Sequence, residues 1–286
     1  MATATTYLPP GTRPLIRAAE AVFHSVVAAG HMMHFFGRVM MSIPIMLRSY
    51  RKELSRLLAD IAWGNGSIVV GGGTVGVALV LGFTIGALIG IEGYSALDLL
   101  GLGPATGLIS SFVSTRELAP IMVGLAFTTQ AGCRFTAQLG AMRINEEIDA
   151  VESLAVNPIP FLVTTRVVAS MVAVIPLFLA CLAVSYLAAQ LVVQVSSGQS
   201  AGSYMHYFAS FVNAKDVGYA TIKAVCFVSI ASTIQCYYGY HAAGGPAGVG
   251  VAAGRAMRAT ITAIIIVNML LTMIFWGVES GARFGG

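Results

Sequence analysis

Long apolar stretches without any charged residue dominate the pattern along this chain. Four windows contain no Asp, Glu, Lys or Arg: Ile61 to Ile91, Val167 to Ala214, Ala224 to Gly254 and Ala259 to Val278. A fifth window, Leu99 to Cys133, is interrupted only by Arg116 and Glu117. A bilayer core of about 30 Å needs roughly 20 apolar residues per helix. We therefore predict five transmembrane spans, centred near Ser67–Ile91, Gly107–Phe127, Val167–Val193, Val217–His241 and Thr260–Val278.

Apolar residues also recur every three or four positions before span one, with basic residues between them. The apolar set is Phe36, Met40, Ile43, Leu47, Tyr50, Leu54, Leu57 and Ile61, and the basic set is Arg38, Arg48, Arg51, Lys52 and Arg56. This pattern predicts an amphipathic helix that lies in the membrane interface against anionic lipid, bent at Pro44. The alternative is a helix packed against the protein's own spans.

Composition places the chain among integral membrane proteins. Only 10% of the 286 residues are charged and 57% are hydrophobic. A soluble domain of this composition would expose large apolar patches. The four cysteines show no CxxC spacing, so we expect neither a structural disulfide nor a metal cluster.

The positions of Lys and Arg predict the orientation, because these residues concentrate in cytoplasmic loops. Those assigned to one side are Arg13, Arg17, Arg38, Arg48, Arg51, Lys52, Arg56, Arg134, Arg143, Arg166, Arg255 and Arg258. The opposite side has only Lys215 and Arg283. We expect a multi-pass protein of the plasma (inner) membrane with a cytoplasmic N-terminus and an external C-terminus. The formal charge of +4 then reflects sidedness rather than a nucleic-acid partner.

The segment Gly140 to Pro160 stands out because it concentrates acids between apolar runs. It carries Glu146, Glu147, Asp149 and Glu152, while Ile144, Ile148, Val151 and Leu154 share the other side of a predicted helix that stops at Asn157-Pro158. Such a helix can fill a groove on a cytoplasmic partner and meet its basic side chains. The alternative is a solvated connector between spans two and three.

Three ionisable residues fall inside predicted spans, where each costs several kcal/mol without a partner or a wet cavity. Arg116 and Glu117 either line a polar part of a substrate path or gate, or form a structural ion pair, or lie near the outer surface. Lys223 lies about two turns inside span four, and we interpret it as reaching the outer interface with its long stem. A role beside Arg116 and Glu117 in binding anionic lipid is the alternative.

Glycines mark two further features. Gly82, Gly86 and Gly90 leave one face of span one without side chains, which predicts a close helix contact within the chain or between two chains. The glycine-rich stretch from Gly244 to Gly250 lacks the GK[ST] ending of a phosphate loop, and we interpret it as a flexible cytoplasmic turn. ATP would therefore require a separate subunit. No arrangement of nucleophile and base is visible either, so we expect a non-catalytic chain.

Several segments resemble the MlaE/YrbE family of ABC-transporter permeases, which serve lipid transport systems built around MCE proteins. The resemblance is carried by Arg116 to Pro120 (RELAP), Ala131 to Ile159, Ile222 to Val225, and Cys236 to Arg258. The last stretch resembles the second, B-type permease of actinobacterial Mce systems. Two departures are Gln130, where relatives often carry Arg, and Asn157, where they often carry Asp. The first removes a charge expected at the inner end of span two.

The resemblance implies an all-α integral membrane fold with an interfacial amphipathic helix within residues 1–60 and an MlaE-type permease domain over 61–286. A cytoplasmic coupling helix at about 143–157 would seat in an ATPase through Arg143, Glu146, Glu147, Asp149 and Glu152. Implied partners are a paralogous permease forming a heterodimer, a dimer of cytoplasmic ABC ATPases that binds the ATP, and MCE proteins on the outer face.

The function implied by the resemblance is passage of a fatty acid, phospholipid or sterol, with import as the expected direction and no cofactor on this chain. The family's polar intramembrane positions correspond to Arg116, Glu117 and Lys223. One alternative is an ion-coupled secondary lipid transporter with Glu117 as its coupling carboxylate. A lipid-modifying membrane enzyme is another class, but the sequence offers it no catalytic constellation.

Overall fold

The structure is a computed structural model that describes residue 27 and residues 30–63 and 73–277. Every regular element within these residues is a helix: α1 over 30–41, α2 Ile43–Ser49, α3 Arg51–Trp63, α4 Gly73–Asp98, α5 Gly103–Ile144, α6 Glu147–Ser153, α7 Ile159–Ser197, α8 Ala201–Phe211, α9 Ala214–Tyr240 and α10 Gly245–Trp276. Spans one to five are α4, α5, α7, α9 and α10, which are long and apolar enough to cross a membrane. The predicted all-α membrane fold with five spans is confirmed.

Short connections reverse the chain between consecutive spans, so the bundle has two ends. We call the end that carries α6 the acidic end and the end that carries α8 the far end. The predicted start of span one before Gly73, the residue Val278 and the basic residues Arg13, Arg17 and Arg283 lie outside the described residues.

The core forms where α7 and α9 meet the other spans. α7 packs against α4, α9 and α3, and α9 packs against α5 and α10 as well. Four aromatic side chains fill the centre with at most 1% exposure: Phe127, Phe135, Phe178 and Phe227. Only 11% of the apolar 18-residue segment of α10 is buried, against 39% to 50% for the corresponding segments of the other spans. α10 therefore presents most of its apolar surface outward.

The glycine stripe of α4 faces α7 within the same chain. A Cβ atom added at Gly86 would lie 2.1 Å from the Ser185 carbonyl oxygen and 2.7 Å from the Cβ of Ala188. At Gly82 the corresponding distance to the Cys181 carbonyl oxygen is 2.6 Å. Backbone atoms cannot yield at such distances, so these positions exclude any side chain. Small residues set the separation of α4 and α7, as expected for helices packed in lipid.

The N-terminal helices pack against the spans with one side and expose apolar side chains on the other. The chain bends after α1, and Pro44 sits in the first turn of α2, where its missing N–H costs nothing. Phe35 and Val39 belong to the same buried cluster as the spans. Met33 and Met41 are 71% and 82% exposed. The helices thus contact the protein's own spans and keep an apolar side available to lipid.

Three predicted boundaries differ from the structure. α5 continues to Ile144, far beyond the predicted end at Phe127, because charged residues mark where a helix leaves the hydrocarbon core and do not stop it. The predicted flexible turn from Gly244 to Gly250 is wrong: α10 begins at Gly245, with Pro246 in its first turn and Gly244 at φ +89°. α6 ends at Ser153, and Ala155 at φ +58° turns the chain before the predicted stop at Asn157.

Replacement of Gly86 by Ala should force α4 and α7 apart. We expect the free energy of unfolding to fall by about 1–3 kcal/mol, as for other overpacked cores, because the new methyl group meets backbone atoms. Gly218→Ala is the matched control, since nothing lies within 4 Å of a Cβ at that helical position. Thermal unfolding of the purified chain in detergent measures both. Equal midpoints for the two variants would contradict the assigned contact.

Candidate functional site

An irregular turn within α5 positions two charged residues near the far end. Residues Ser114–Leu118 form a π-helical turn, a distortion that is frequent at functional sites, and this turn contains Arg116 and Glu117. Pro120 follows and has no N–H to offer the Arg116 carbonyl four residues earlier. The Nζ of Lys223 on α9 donates to that carbonyl at 2.8 Å. The local sequence of α5 thus leaves an acceptor free for another span.

The Glu117 carboxylate joins three spans. Its Oε1 accepts from Lys223 Nζ at 3.2 Å and from the Thr272 hydroxyl at 2.7 Å, and its Oε2 accepts from Asn268 Nδ2 at 2.8 Å. Lys223 Nζ also donates to Thr272 Oγ1 at 2.7 Å. Lys223 is 0% exposed, whereas the Glu117 side chain is 33% exposed. The lysine is therefore the enclosed member of this pair.

Arg116 forms a second charged contact nearer the start of α9. Its Nη2 lies 2.9 Å from Asp216 Oδ2, and Trp276 Nε1 donates to Asp216 Oδ1 at 2.8 Å. The guanidinium carbon lies 3.9 Å from the ring centroid of Phe112, in cation–π contact. We call the seven residues of these two contacts the charged network: Arg116, Glu117, Asp216, Lys223, Asn268, Thr272 and Trp276.

The charged network corrects the interpretation of the ionisable residues. Arg116 and Glu117 do not pair with each other, because each binds a residue of α9. The interpretation of Lys223 as a side chain reaching the outer interface is wrong, since its ammonium points inward to α5 and α10. Sequence reasoning missed Asp216 and Asn268. The signal for Asn268 was its amide inside a charge-free run, with Thr272 one turn later on the same helix face.

Polar atoms without partners adjoin the charged network. Arg116 Nε, a donor, and Asn268 Oδ1, an acceptor, are both buried without a hydrogen-bond partner among the described residues. Buried polar groups are normally satisfied, so two orphaned atoms beside an ion-pair network indicate room for a polar ligand group or water. Nearby on α5, the Thr115 hydroxyl contacts the Tyr186 hydroxyl. Helix α8 packs against the neighbouring part of α5 at Thr106–Val113. Burial raises the pKa of the Tyr204 hydroxyl on α8.

At the opposite end, α6 displays its carboxylates to solvent. Glu146 has φ +58° and reverses the chain after α5, and Ile148 anchors the short helix with 0% exposure. Arg143 Nη1 lies 2.6 Å from Asp149 Oδ1 and holds α6 against the end of α5. Glu146, Glu147, Asp149 and Glu152 are all exposed, and Leu154 is 76% exposed. The residues predicted to form one apolar side therefore differ in exposure, because Ile148 is buried and Leu154 is exposed.

A cavity of about 440 Å³ separates α6 from α1 and the end of α9. Glu152, Arg38 and His241 contribute its charged and titratable side chains, and Phe35 contributes an aromatic wall. Phe35 packs edge-on against Tyr237, with ring centroids 5.4 Å apart. The acidic end therefore offers a recess bordered by one carboxylate, one arginine and aromatic side chains, which a protein partner could fill.

Comparison with known proteins is consistent with this architecture. The family model described as Permease MlaE matches residues 65–274. A chloroplastic protein of Arabidopsis thaliana, trigalactosyldiacylglycerol 1, is 29% identical over 71% of this chain, which spans only 58% of that protein's length. A probable ABC transporter permease protein of Rickettsia prowazekii is 29% identical over 68% of this chain and 76% of its own length.

A third relative is the intermembrane phospholipid transport system permease protein MlaE of Haemophilus influenzae, 26% identical over 70% of this chain and 77% of its own length. The matched region contains the first four spans, α6, and the fifth span up to residue 274, and with them every residue of the charged network except Trp276. Because the family model covers well over half of the chain, the chain belongs to the MlaE permease family.

Proposed function

We propose that this chain is the membrane subunit of an ABC-type lipid transporter, driven by a separate ATPase that contacts α6. The observation that carries the proposal is the course of α5. One helix of 42 residues, Gly103–Ile144, contains Arg116 and Glu117 and ends beside the exposed carboxylates. At 1.5 Å per residue, its part from Glu117 to Ile144 measures about 40 Å, more than a hydrocarbon core of about 30 Å.

The acidic end faces the cytoplasm in this proposal. Most Lys and Arg residues lie toward that end, and these residues concentrate on the cytoplasmic side of membrane proteins. A partner ATPase would seat Glu146, Glu147 and Glu152 against its basic side chains, with Asp149 held by Arg143. A displacement of α6 would reach the charged network through α5, whose π-helical turns at Ser114–Leu118 and Thr128–Gly132 are points where the helix can adjust.

The charged network is the proposed gate of the lipid path. Its ion pairs join α5 to α9, and its hydrogen bonds join both helices to α10. Its two orphaned atoms can receive a polar headgroup. A fatty acid, phospholipid or sterol presents one polar end and an apolar body, which suits a polar network between apolar helices. Import into the cell is the direction we propose, with MCE proteins of an Mce system delivering lipid at the far end.

The outward face of α10 supports assembly with a second permease. Ile265, Ile266, Met269, Leu270 and Ile274 are all more than half exposed. A paralogous permease packed there would enclose a lipid cavity between the two chains, bordered by the charged network. The relative from Rickettsia prowazekii is named as an ABC transporter permease, which is consistent with a membrane subunit of a larger assembly.

An ion-coupled secondary transporter is less well supported. Such a mechanism needs a carboxylate that releases its proton or ion during each cycle. Glu117 is instead paired with the enclosed Lys223 and accepts from Asn268 and Thr272. Both of its carboxylate oxygens are therefore already engaged by donors of this chain.

Charge reversal on α6 tests the ATPase contact. The variant Glu146→Lys/Glu147→Lys should reduce co-purification of the ATPase roughly tenfold or more, because two carboxylates would be replaced by like charges facing the partner. The matched control is Glu92→Lys/Asp98→Lys, two exposed acids toward the far end. Membrane levels of the chain should stay unchanged in both variants. Undiminished ATPase capture by the α6 variant would overturn the proposed coupling.

A single and a double substitution test whether the charged network acts as a gate in transport or only stabilises the fold. Lys223→Met leaves Glu117 unpaired and should lower the free energy of unfolding by about 3 kcal/mol. Addition of Glu117→Gln should recover more than half of that loss, while Lys215→Met, an exposed lysine on the same helix, is the control. Lipid transfer by the reconstituted transporter should stay impaired in the double variant. Transport that returns together with stability would show that the charged network is only structural.

A further inference from the structure

A second pocket lies at the acidic end, apart from the charged network and from α6. It measures about 820 Å³ and lies between α3 and the adjoining parts of α5 and α7. Five charged side chains border it: Glu53, Arg56, Asp60, Arg134 and Arg166. Apolar residues such as Leu57 and Met142 complete the wall. Its composition is therefore that of a wet, partly apolar recess, with three cations and two anions.

The ion pairs of this pocket leave one arginine without an acidic partner. Arg134 Nη1 lies 3.5 Å from Asp60 Oδ1, and its Nη2 donates to the Asp60 carbonyl at 2.9 Å. Glu53 lies 3.7 Å from Arg56 Nη1. No carboxylate within residues 30–63 or 73–277 comes within 4.0 Å of the Arg166 guanidinium. The pocket thus retains one uncompensated positive charge.

Arg166 is deeply placed for an unpaired cation. The residue is only 9% exposed. Its Nη1 donates to the Leu162 carbonyl at 2.6 Å and its Nη2 lies 3.5 Å from Gln138 Oε1, while Nε has no partner among the described residues. Burial of a charge without a counter-charge is costly. The planar guanidinium, with a free Nε–H, has the geometry that binds a phosphate through two parallel hydrogen bonds.

The depth of the pocket indicates the source of the missing anion. Arg166 immediately precedes the charge-free stretch of α7 that extends to Ser197. Those 31 residues measure about 45 Å at 1.5 Å per residue, enough to cross the hydrocarbon core. Because this length equals the core plus both headgroup layers, about 40–45 Å, Arg166 lies in the headgroup layer. A phosphate at this depth belongs most simply to a lipid whose chains lie along the apolar wall.

We propose that this pocket binds the phosphodiester headgroup of an anionic lipid from the leaflet at the acidic end. Arg166 is the principal contact, and Arg134 the second after it shifts from Asp60. The lipid would bridge α3 to α5 and α7, so the position of the N-terminal helices would depend on leaflet charge. This inference does not rest on the proposed transport function, because the pocket is at the opposite end from the charged network.

The experiment measures lipid retained by the full-length chain. The chain is transferred from nanodiscs containing equal amounts of phosphatidylglycerol and phosphatidylcholine into mild detergent, and bound lipid is counted by native mass spectrometry. We expect preferential retention of one phosphatidylglycerol. Arg166→Gln should weaken that retention roughly tenfold, the loss of a charge-assisted hydrogen-bond pair. Arg48→Gln, an exposed arginine on α2, is the control and should retain the lipid.

Asp60→Asn provides a variant with the opposite expected sign. Removal of this carboxylate frees Arg134 and adds positive charge, so retention of phosphatidylglycerol should increase severalfold. A purely structural role for the pocket predicts no such increase. A loss of binding could result from misfolding, whereas a selective gain in phosphatidylglycerol retention would not. This variant therefore distinguishes a change in the site from a change in folding.

Three outcomes would overturn the proposal. Equal retention of both lipids, or unchanged retention in Arg166→Gln, would remove the headgroup site. Competition of millimolar inorganic phosphate for the pocket with no lipid preference would identify a soluble anion as the ligand. Loss of ATPase capture in Arg166→Gln with unchanged lipid retention would assign the missing charge to a protein partner. The lipid-retention measurements require neither lipid transport nor the ATPase, so they are independent of the proposed function, and only the third outcome uses the ATPase.

Discussion

The enclosed ammonium group of Lys223 is the constraint on which the far end of this bundle depends. An ammonium has three N–H donors, and Lys223 Nζ has three acceptors: the Arg116 carbonyl, Glu117 Oε1 and Thr272 Oγ1. Two of these belong to α5 and one to α10, while the lysine belongs to α9. Because an unpaired charge in a hydrocarbon environment costs several kcal/mol, the three spans can separate only if other polar groups replace these contacts.

The contacts of Lys223 account for two irregularities in the backbone of α5. The π-helical turn at Ser114–Leu118 and the missing N–H of Pro120 weaken the helix where a regular one would satisfy its own carbonyls. The freed carbonyl then binds Lys223. The same helix continues to Ile144 and, through the left-handed turn at Glu146, to the exposed carboxylates of α6. Two helices joined by one tight turn therefore connect a solvent-exposed surface to the ion pairs of α5 and α9.

The sequence determined the number and approximate place of the spans, because absence of charge over about 20 residues is a direct consequence of the bilayer. It could not determine the helix ends at Ile144 and Gly245, since helices continue beyond the hydrocarbon core. It also misassigned Lys223. The partners of this lysine lie 106 and 49 positions away in Glu117 and Thr272, and no periodicity within one span reveals a contact between spans.

Two buried cations, one toward each end of the bundle, illustrate different solutions to the same electrostatic problem. Lys223 receives its counter-charge and all its acceptors from neighbouring spans, so its environment is complete within the chain. Arg166 receives one close carbonyl and a distant amide, and the acids near it are already paired with Arg134 and Arg56. Because folding does not leave a buried charge uncompensated without cost, the first arrangement is intrinsic to the fold and the second requires a ligand from the surroundings. A membrane leaflet supplies anions at that depth, which makes the lipid itself part of the structure at the acidic end.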